Sequence, residues 1–350
     1  MKRTIKIQIT CNKELALKTM SDAGNIFNLH AEEALKNRTW NKSKMHCYSY
    51  RKARELYPNM QSSVIQGIRD QASEALKSLK LKILPKKRKY SAIRYNARTF
   101  SILKDGSVSF CLLGGRVKSI VNIPKYFKDI WDNWKVSGAT LNYRFGKFWL
   151  HISFQSKTPI CSNGNTVIGI DRGMLNIAVL SDGTFYSSKH IRAVQRRMLY
   201  NKRRLQSKGT RNSKRKLKLL RGYEQRFQRD CNHSITKQII AKPADIFALE
   251  NLKSIRVKSS RKGKYFAQRF NRWAFYQFEQ FLKYKAEAVG KLVKFVDPRY
   301  TSQNCSICGQ KGNRKRSAFE CGNCGHKQHA DLNASINIRD RQLSNLGVIT

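Results

Sequence analysis

Three acidic residues stand where carboxylates could do chemistry. Asp171 closes the apolar run Val167-Ile-Gly-Ile-Asp171, and Glu250 closes Asp245-Ile-Phe-Ala-Leu-Glu250. Asp331 lies in His329-Ala-Asp-Leu-Asn-Ala-Ser335, where a helical pattern begins. Two neighbouring strands would bring the first two carboxylates to one sheet edge, and a helix N-terminus can deliver the third. Three close acids repel one another, and a divalent cation relieves that repulsion; Mg²⁺ is the hard, oxygen-preferring ion that also binds phosphates. Two such ions about 4 Å apart would stabilise the attacking water and the leaving oxygen of an in-line phosphodiester displacement. Each acid alone also fits a plainer role as turn former, salt-bridge partner or, for Asp331, helix N-cap. Asp182 before Gly183 is read as a turn former, and Asp297 before Pro298 as a strand terminator.

A second constellation is Cys305-Ser-Ile-Cys308-Gly309 and, after twelve residues, Cys321-Gly-Asn-Cys324-Gly325. Each Cys-x-x-Cys turn sets two thiolates about one ion, and the following glycine permits the left-handed bend that aims backbone N–H groups at sulfur. Four thiolates leave no open coordination position, so the expectation is a structural Zn²⁺ ribbon held by Cys305, Cys308, Cys321 and Cys324. Nearby His326 and His329 are read as polar surface or nucleic-acid contacts. Cys11, Cys47, Cys111, Cys161 and Cys231 are scattered singly and are expected to be small buried hydrophobes.

The elements around these residues divide the chain. Residues 4–10 alternate as a strand, and residues 13–80 read as helical, with Val64, Ile65, Ile68, Ala72, Ala75, Leu76 and Leu79 on one face. From 90 to 157 the period shortens to two. Asp105-Gly106 and Phe145-Gly146-Lys147 mark hairpins, and Pro159 to Asn165 reads as a linker. Beyond it, strands at 167–171, 176–180, 245–250 and 291–296 alternate with helices, two of them long and spanning 189–240 around Gly209 to Ser213, and another over 273–289. This pattern predicts a mixed sheet with helices packed on it. Leu343 to Thr350 is expected to fray.

Charge narrows the function. Of 350 residues, 70 are Lys or Arg and 22 are Asp or Glu, a formal net charge of +48. Such one-sided charge is relieved best by a polyanion, which makes nucleic acid the leading partner. No apolar run is long enough to span a bilayer, and the opening residues alternate instead of forming a signal peptide, so a cytoplasmic protein without a membrane partner is expected. Between Lys189 and Arg229, 16 of 41 residues are basic and only Glu224 is acidic, a one-signed face suited to a phosphate backbone. Lys86 to Tyr90 and Arg261 to Phe266 mix basic and aromatic residues in a way that suits base stacking, whereas most aromatics from Phe266 to Tyr284 repeat at helical spacing and read as core.

The ordered set Gly169-Ile-Asp171-Arg-Gly, Ala248-Leu-Glu250-Asn-Leu, Tyr300-Thr-Ser-Gln-Asn-Cys-Ser-Ile-Cys-Gly309 and Ala330-Asp331-Leu-Asn-Ala-Ser-Ile-Asn337 resembles the TnpB (OrfB) proteins of insertion sequences, relatives of compact type V CRISPR effectors. The resemblance implies an α/β architecture. A RuvC-like nuclease domain of RNase H-like fold would occupy 166–300 and 328–340, with the zinc ribbon inserted at 301–327. A wedge-like β-barrel over 1–10 and 81–158 would precede it, carrying a helical recognition insertion at 11–80. It further implies an RNA-guided DNA endonuclease encoded by a transposable element, with Asp171, Glu250 and Asp331 as catalytic ligands of two Mg²⁺. The implied partners are a guide RNA and target double-stranded DNA beside a target-adjacent motif, in a prokaryotic, nucleoid-associated setting and with a monomer expected. Arg172 and Ala330 depart from the apolar residue and the arginine more usual at those places. Alternative readings are an RNA-guided DNA-binding repressor, which would lose catalytic acids, and an RNase H-fold transposase, whose usual acid order is Asp, Asp, Glu.

Overall fold

A computed structural model describes residues 1–161, 164–252 and 274–348. It resolves into two compact units, Met1–Lys157 and Thr158–Thr350.

The first unit contains β1 (Lys2–Ile9), α1 (Lys13–Lys36), α2 (Lys42–Leu56), α3 (Ser62–Ser78), β2 (Ile93–Tyr95), β3 (Phe100–Ile102), β4 (Val108–Leu112), β5 (Gly115–Ser119), α4 (Lys128–Asn133), β6 (Lys135–Arg144) and β7 (Lys147–Gln155). Its strands form a four-stranded sheet in the order β1-β7-β6-β2 and a three-stranded sheet β3-β4-β5. Both expected hairpins form, with Gly106 (φ 79°) and the Phe145-Gly146 pair (φ 54° and 77°) in the left-handed region that their turns require. Helices α1 to α3 pack together, and their apolar faces join one core with the strands. The helical stretch is thus three helices. The first runs unbroken through Gly24, and a Cβ there would meet Arg88 O at 3.4 Å, so the glycine admits the passing 87–88 backbone. Lys87, read above as part of a basic-aromatic patch, is instead structural. Its ammonium donates to Gln71 Oε1 at 2.9 Å and lies 4.6 Å from the Phe27 ring centroid.

The second unit contains β8 (Val167–Asp171), β9 (Asn176–Leu180), β10 (Phe185–Ser187), α5 (Lys189–Lys208), α6 (Arg211–Leu220), α7 (Tyr223–Ile240), β11 (Ile246–Glu250), α8 (Phe275–Ala288), β12 (Leu292–Val296), β13 (Asn313–Lys315), β14 (Ala318–Glu320), β15 (Lys327–His329) and α9 (Ala330–Asn345). Its five-stranded sheet has the order β10-β9-β8-β11-β12. The ladders β10–β9 and β9–β8 are antiparallel, whereas β8–β11 and β11–β12 are parallel. Strand period then decides what each face buries. Ile170, Phe247 and Leu249 share a core with Ile239, Phe278 and Leu282 of α7 and α8, while Ala248 and Val296 pack with Ile338 of α9 on the other face.

Three expectations need correction here. The stretch 189–240 holds three helices, because Arg221 is extended and Gly222 turns left-handed (φ 78°) between α6 and α7. Leu343 to Asn345 end α9 and do not fray; Val348 N still donates to Leu343 O. Among the single cysteines Cys111 is buried but Cys47 is exposed. The segment Arg261 to Phe266, residues 162–163 of the linker, and Ile349 and Thr350 lie outside the described residues.

Candidate active site

Asp171 and Glu250 end adjacent parallel strands, in a register that pairs Leu249 with Ile170. Both occupy the strand parity of Gly169 and Ala248, the parity that faces α9. Asp331 sits in the first turn of α9, so all three carboxylates belong to one edge and one face of the sheet. Close approach of helix to strand is built into Gly169. A Cβ there would lie 2.0 Å from Ser335 O and 2.6 Å from Arg339 N, both backbone atoms of α9.

Electrostatics record this proximity. Burial, followed by the negative charges of Glu250 and Asp331, pushes the Asp171 carboxyl up to about 7, against a partial pull downward from Arg314. Burial also raises Glu250, opposed first by the hydrogen bond that the Thr301 hydroxyl donates to its Oε1. Asp331 is held by Asn176 Nδ2 at 2.9 Å on one oxygen and by Arg314 Nη2 at 2.7 Å on the other. Arg172, beside Asp171, is buried. It donates from Nη2 to the Glu250 carbonyl at 2.7 Å and from Nη1 to Glu279 Oε2 at 3.2 Å, tying the ends of β8 and β11 to α8.

Arg314, Thr301 and Asn176 are site residues that sequence reading missed. The plainer reading of Asp331 is also revised: the N-cap is His329, whose Nδ1 accepts from Asp331 N at 3.2 Å. Asp182 acts as a turn former, accepting from Thr184 N, and Asp297 directly follows the last residue of β12, accepting from Arg299 N.

The donor set is hard oxygen throughout and carries excess negative charge in partial burial, which suits a divalent cation. The carboxylates are gathered less tightly than the cysteines. Among the described residues, Cys305, Cys308, Cys321 and Cys324 form the one group of three or more His, Cys, Asp or Glu whose ligating atoms all lie within 4.8 Å of one another. Cys305 Sγ is 3.6 Å from Cys324 Sγ, and Cys308 Sγ is 3.5 Å from Cys321 Sγ. Tetrahedral bonds of about 2.3 Å place sulfurs roughly 3.8 Å apart, so the four thiols fit a zinc ion. Gly309 and Gly325 take φ 74° and 72° after their knuckles, and Ile307 N donates to Cys305 Sγ at 3.4 Å. Asn333 and Asn337 of α9 hydrogen-bond Asn304 O at 2.7 and 2.8 Å, fastening this knuckle to the helix that carries Asp331.

Two family models match the chain. One, described as "Probable transposase" for the IS605 OrfB group, covers 151–260, and the other, the Cas12f1-like TNB domain, covers 275–338. A TnpB-like protein of Methanocaldococcus jannaschii is 35% identical over 122 residues, 33% of this chain and 44% of the relative. Over these regions the chain is similar to TnpB-like and Cas12f proteins. The CRISPR-associated endodeoxyribonuclease Cas12f1 of Sulfoacidibacillus thermotolerans is 36% identical over 116 residues, 32% of this chain and 26% of that protein. The chain therefore spans less than half the length of either of these curated relatives. In fold, a Cas12f1–sgRNA–target DNA complex aligns with a TM-score of 0.62 at 17% identity, over 95% of this chain and 84% of the other. The first matched region holds Asp171 and Glu250, and the second holds the four cysteines and Asp331.

Proposed function

We propose that the protein is an RNA-guided DNA endonuclease of a transposable element, cutting phosphodiesters at Asp171, Glu250 and Asp331 beside a target-adjacent motif. The observation that carries this reading is the convergence of the three carboxylates on one sheet edge, where Asp171, raised first by burial, also feels the charges of Glu250 and Asp331. The strand order β10-β9-β8-β11-β12, antiparallel in its first half and parallel in its second, supports reading the second unit as an RNase H-like, RuvC-like domain. Residues 301–327 would be its zinc ribbon. The first unit would be the wedge-like domain with α1 to α3 as its recognition insertion.

Asp171, Glu250 and Asp331 would hold the Mg²⁺ ions. Bound there, the ions would supply charge stabilisation for the attacking and leaving oxygens. Thr301 orients Glu250 by hydrogen bonding one oxygen, leaving the other for a ligand. Asn176 and Arg314 hold Asp331 in place from both sides. Arg172 cancels part of the local negative charge and fixes the two strand ends. The four thiolates would carry one structural Zn²⁺. The +48 charge and the basic α5 to α7 region suit a guide RNA and a DNA duplex as partners, in a prokaryotic cytoplasm. Among the described residues, no helix is long and apolar enough to cross a membrane.

A non-cleaving repressor is disfavoured because all three acids are present, and the acid order Asp, Glu, Asp disfavours a strand-transferring transposase. The test is to purify the protein with its co-expressed flanking RNA and challenge it with plasmids carrying randomised bases beside a guide-matched site. Mg²⁺-dependent cuts next to a selected short motif are expected. Intact plasmid despite tight guide and target binding would favour the repressor.

A further inference from the structure

A cavity of about 470 Å³ opens among the loop after β8 and the helices α5, α7 and α8. This size lies within the range of ligand pockets, roughly 300–1,000 Å³. Its lining divides by chemistry. Ile191, Phe275 and Phe278 are buried and apolar, whereas Arg196 and Arg203 are exposed and mark the side open to solvent. Gln195 and Gln228 offer amide groups between these regions, 3.5 Å from one another. Among the described residues, no carboxylate lines the cavity.

Two further guanidinium groups in the lining point to a ligand. The Nε atoms of Arg172 and Arg192 are buried without a hydrogen-bond partner, and the Arg172 side chain is only 1% exposed. A buried N–H left unpaired costs on the order of 1–3 kcal/mol, more for a charged group, so an acceptor at these atoms would be stabilising. Arg172 is already paired with Glu279, but no carboxylate lines the cavity beside Arg192, Arg196 and Arg203; these three call for an anion, and the apolar floor calls for a flat, apolar body attached to it. A nucleotide combines both, and aromatic side chains are the usual seat of an unstacked base.

We propose that this cavity receives one unstacked nucleotide of a single strand, its base on Ile191, Phe275 and Phe278 and its phosphate on the guanidinium groups of Arg192 and Arg196. The amides of Gln195 and Gln228 reach the base edge, and sugar chemistry decides whether the strand is DNA or RNA. The occupant rests on the nucleic-acid reading above, but its position does not depend on cleavage.

The test uses the full chain and the fluorescent probe 2-aminopurine 2′-deoxyriboside 5′-monophosphate, with its ribose counterpart in a parallel arm. Saturable quenching is expected with wild type. Leu199→Trp, which fills the cavity from its lining without changing charge, and Arg192→Gln should each weaken binding at least tenfold. Retention of a 40-nucleotide single strand at the same salt should stay within twofold in Leu199→Trp. Circular dichroism matching wild type establishes that each variant is folded. No saturable binding by wild type, or equal probe binding by both variants, overturns the proposal. Failure of the wider nucleic-acid reading has a different signature: wild type would not retain the long strand either.

Discussion

Arg314 Nη2 lies 2.7 Å from Asp331 Oδ1, so a cation from the cysteine-bearing hairpin rests on a carboxylate at the start of α9. Its positive charge also pulls Asp171 and Glu250 downward, making it a counter-ion for the whole acidic cluster. A metal ion bound at these carboxylates would therefore compete with this guanidinium for Asp331 Oδ1. Arg314→Gln should tighten Mn²⁺ binding roughly three- to tenfold, about 1 kcal/mol, when titrated at pH 8.5 where proton competition at Asp171 is small. Equal or weaker affinity in the variant would contradict the competition.

Gly169→Ala should separate strand from helix. Its Cβ would collide with two backbone atoms of α9, which cannot rotate away, and overpacking of this kind costs about 1–3 kcal/mol or more. A lower melting temperature and loss of Mg²⁺-dependent cleavage are expected together, because α9 carries Asp331. Gly67→Ala is the contrast: it lies inside α3 with nothing within 4 Å of the new Cβ, and should stabilise by up to about 1 kcal/mol. Thermal melts of both variants check the pair, and an unchanged Gly169→Ala melt would refute the close-approach argument.

Cys305→Ser should lower zinc content and folded yield, since Cys305 is a buried member of the four-sulfur cluster. Metal analysis of the purified protein reads this directly. Full zinc occupancy in the variant would rule out the four-thiolate site.

His30 gives the fold an acid-sensitive point away from the carboxylates. Burial, then the charge of Arg69, holds its imidazole down at about 4 against an ordinary 6.5, and Nδ1 bonds Ser49 Oγ at 2.7 Å. The unfolded chain therefore takes up a proton near pH 6.5 that the folded chain refuses until about 4. Stability from this group is complete above pH 6.5 and falls as pH drops toward 4, by at most about 3 kcal/mol. Urea unfolding at pH 7 and pH 4.5 should show a smaller pH difference in His30→Asn than in wild type. Parallel behaviour of the two proteins would exclude His30 as the source.

What the sequence made legible follows from periodicity and what it hid follows from distance. Apolar runs ending in Asp171 and Glu250 could be read as strands because buried parallel strands are continuously apolar, and their parallel pairing then aligned the two acids. The cysteine pairs were legible because metal ligation fixes local spacing. Arg314 was not, being one of four cations in Lys311–Arg316 with nothing local to distinguish it. Thr301 likewise reaches Glu250 across 51 residues. The break at Gly222 escaped because an isolated glycine is tolerated within helices, and its left-handed backbone is set by the chain reversal between α6 and α7.

The most direct measurement compares wild type and Asp171→Ala, each assembled with guide RNA, on a supercoiled plasmid carrying the matched site in Mg²⁺. Wild type should linearise or nick the plasmid. The variant should bind guide and target with unchanged affinity yet cut at least a thousandfold more slowly, because the carboxylate that feels the charges of both other acids is gone. Undiminished cutting by Asp171→Ala would contradict the account.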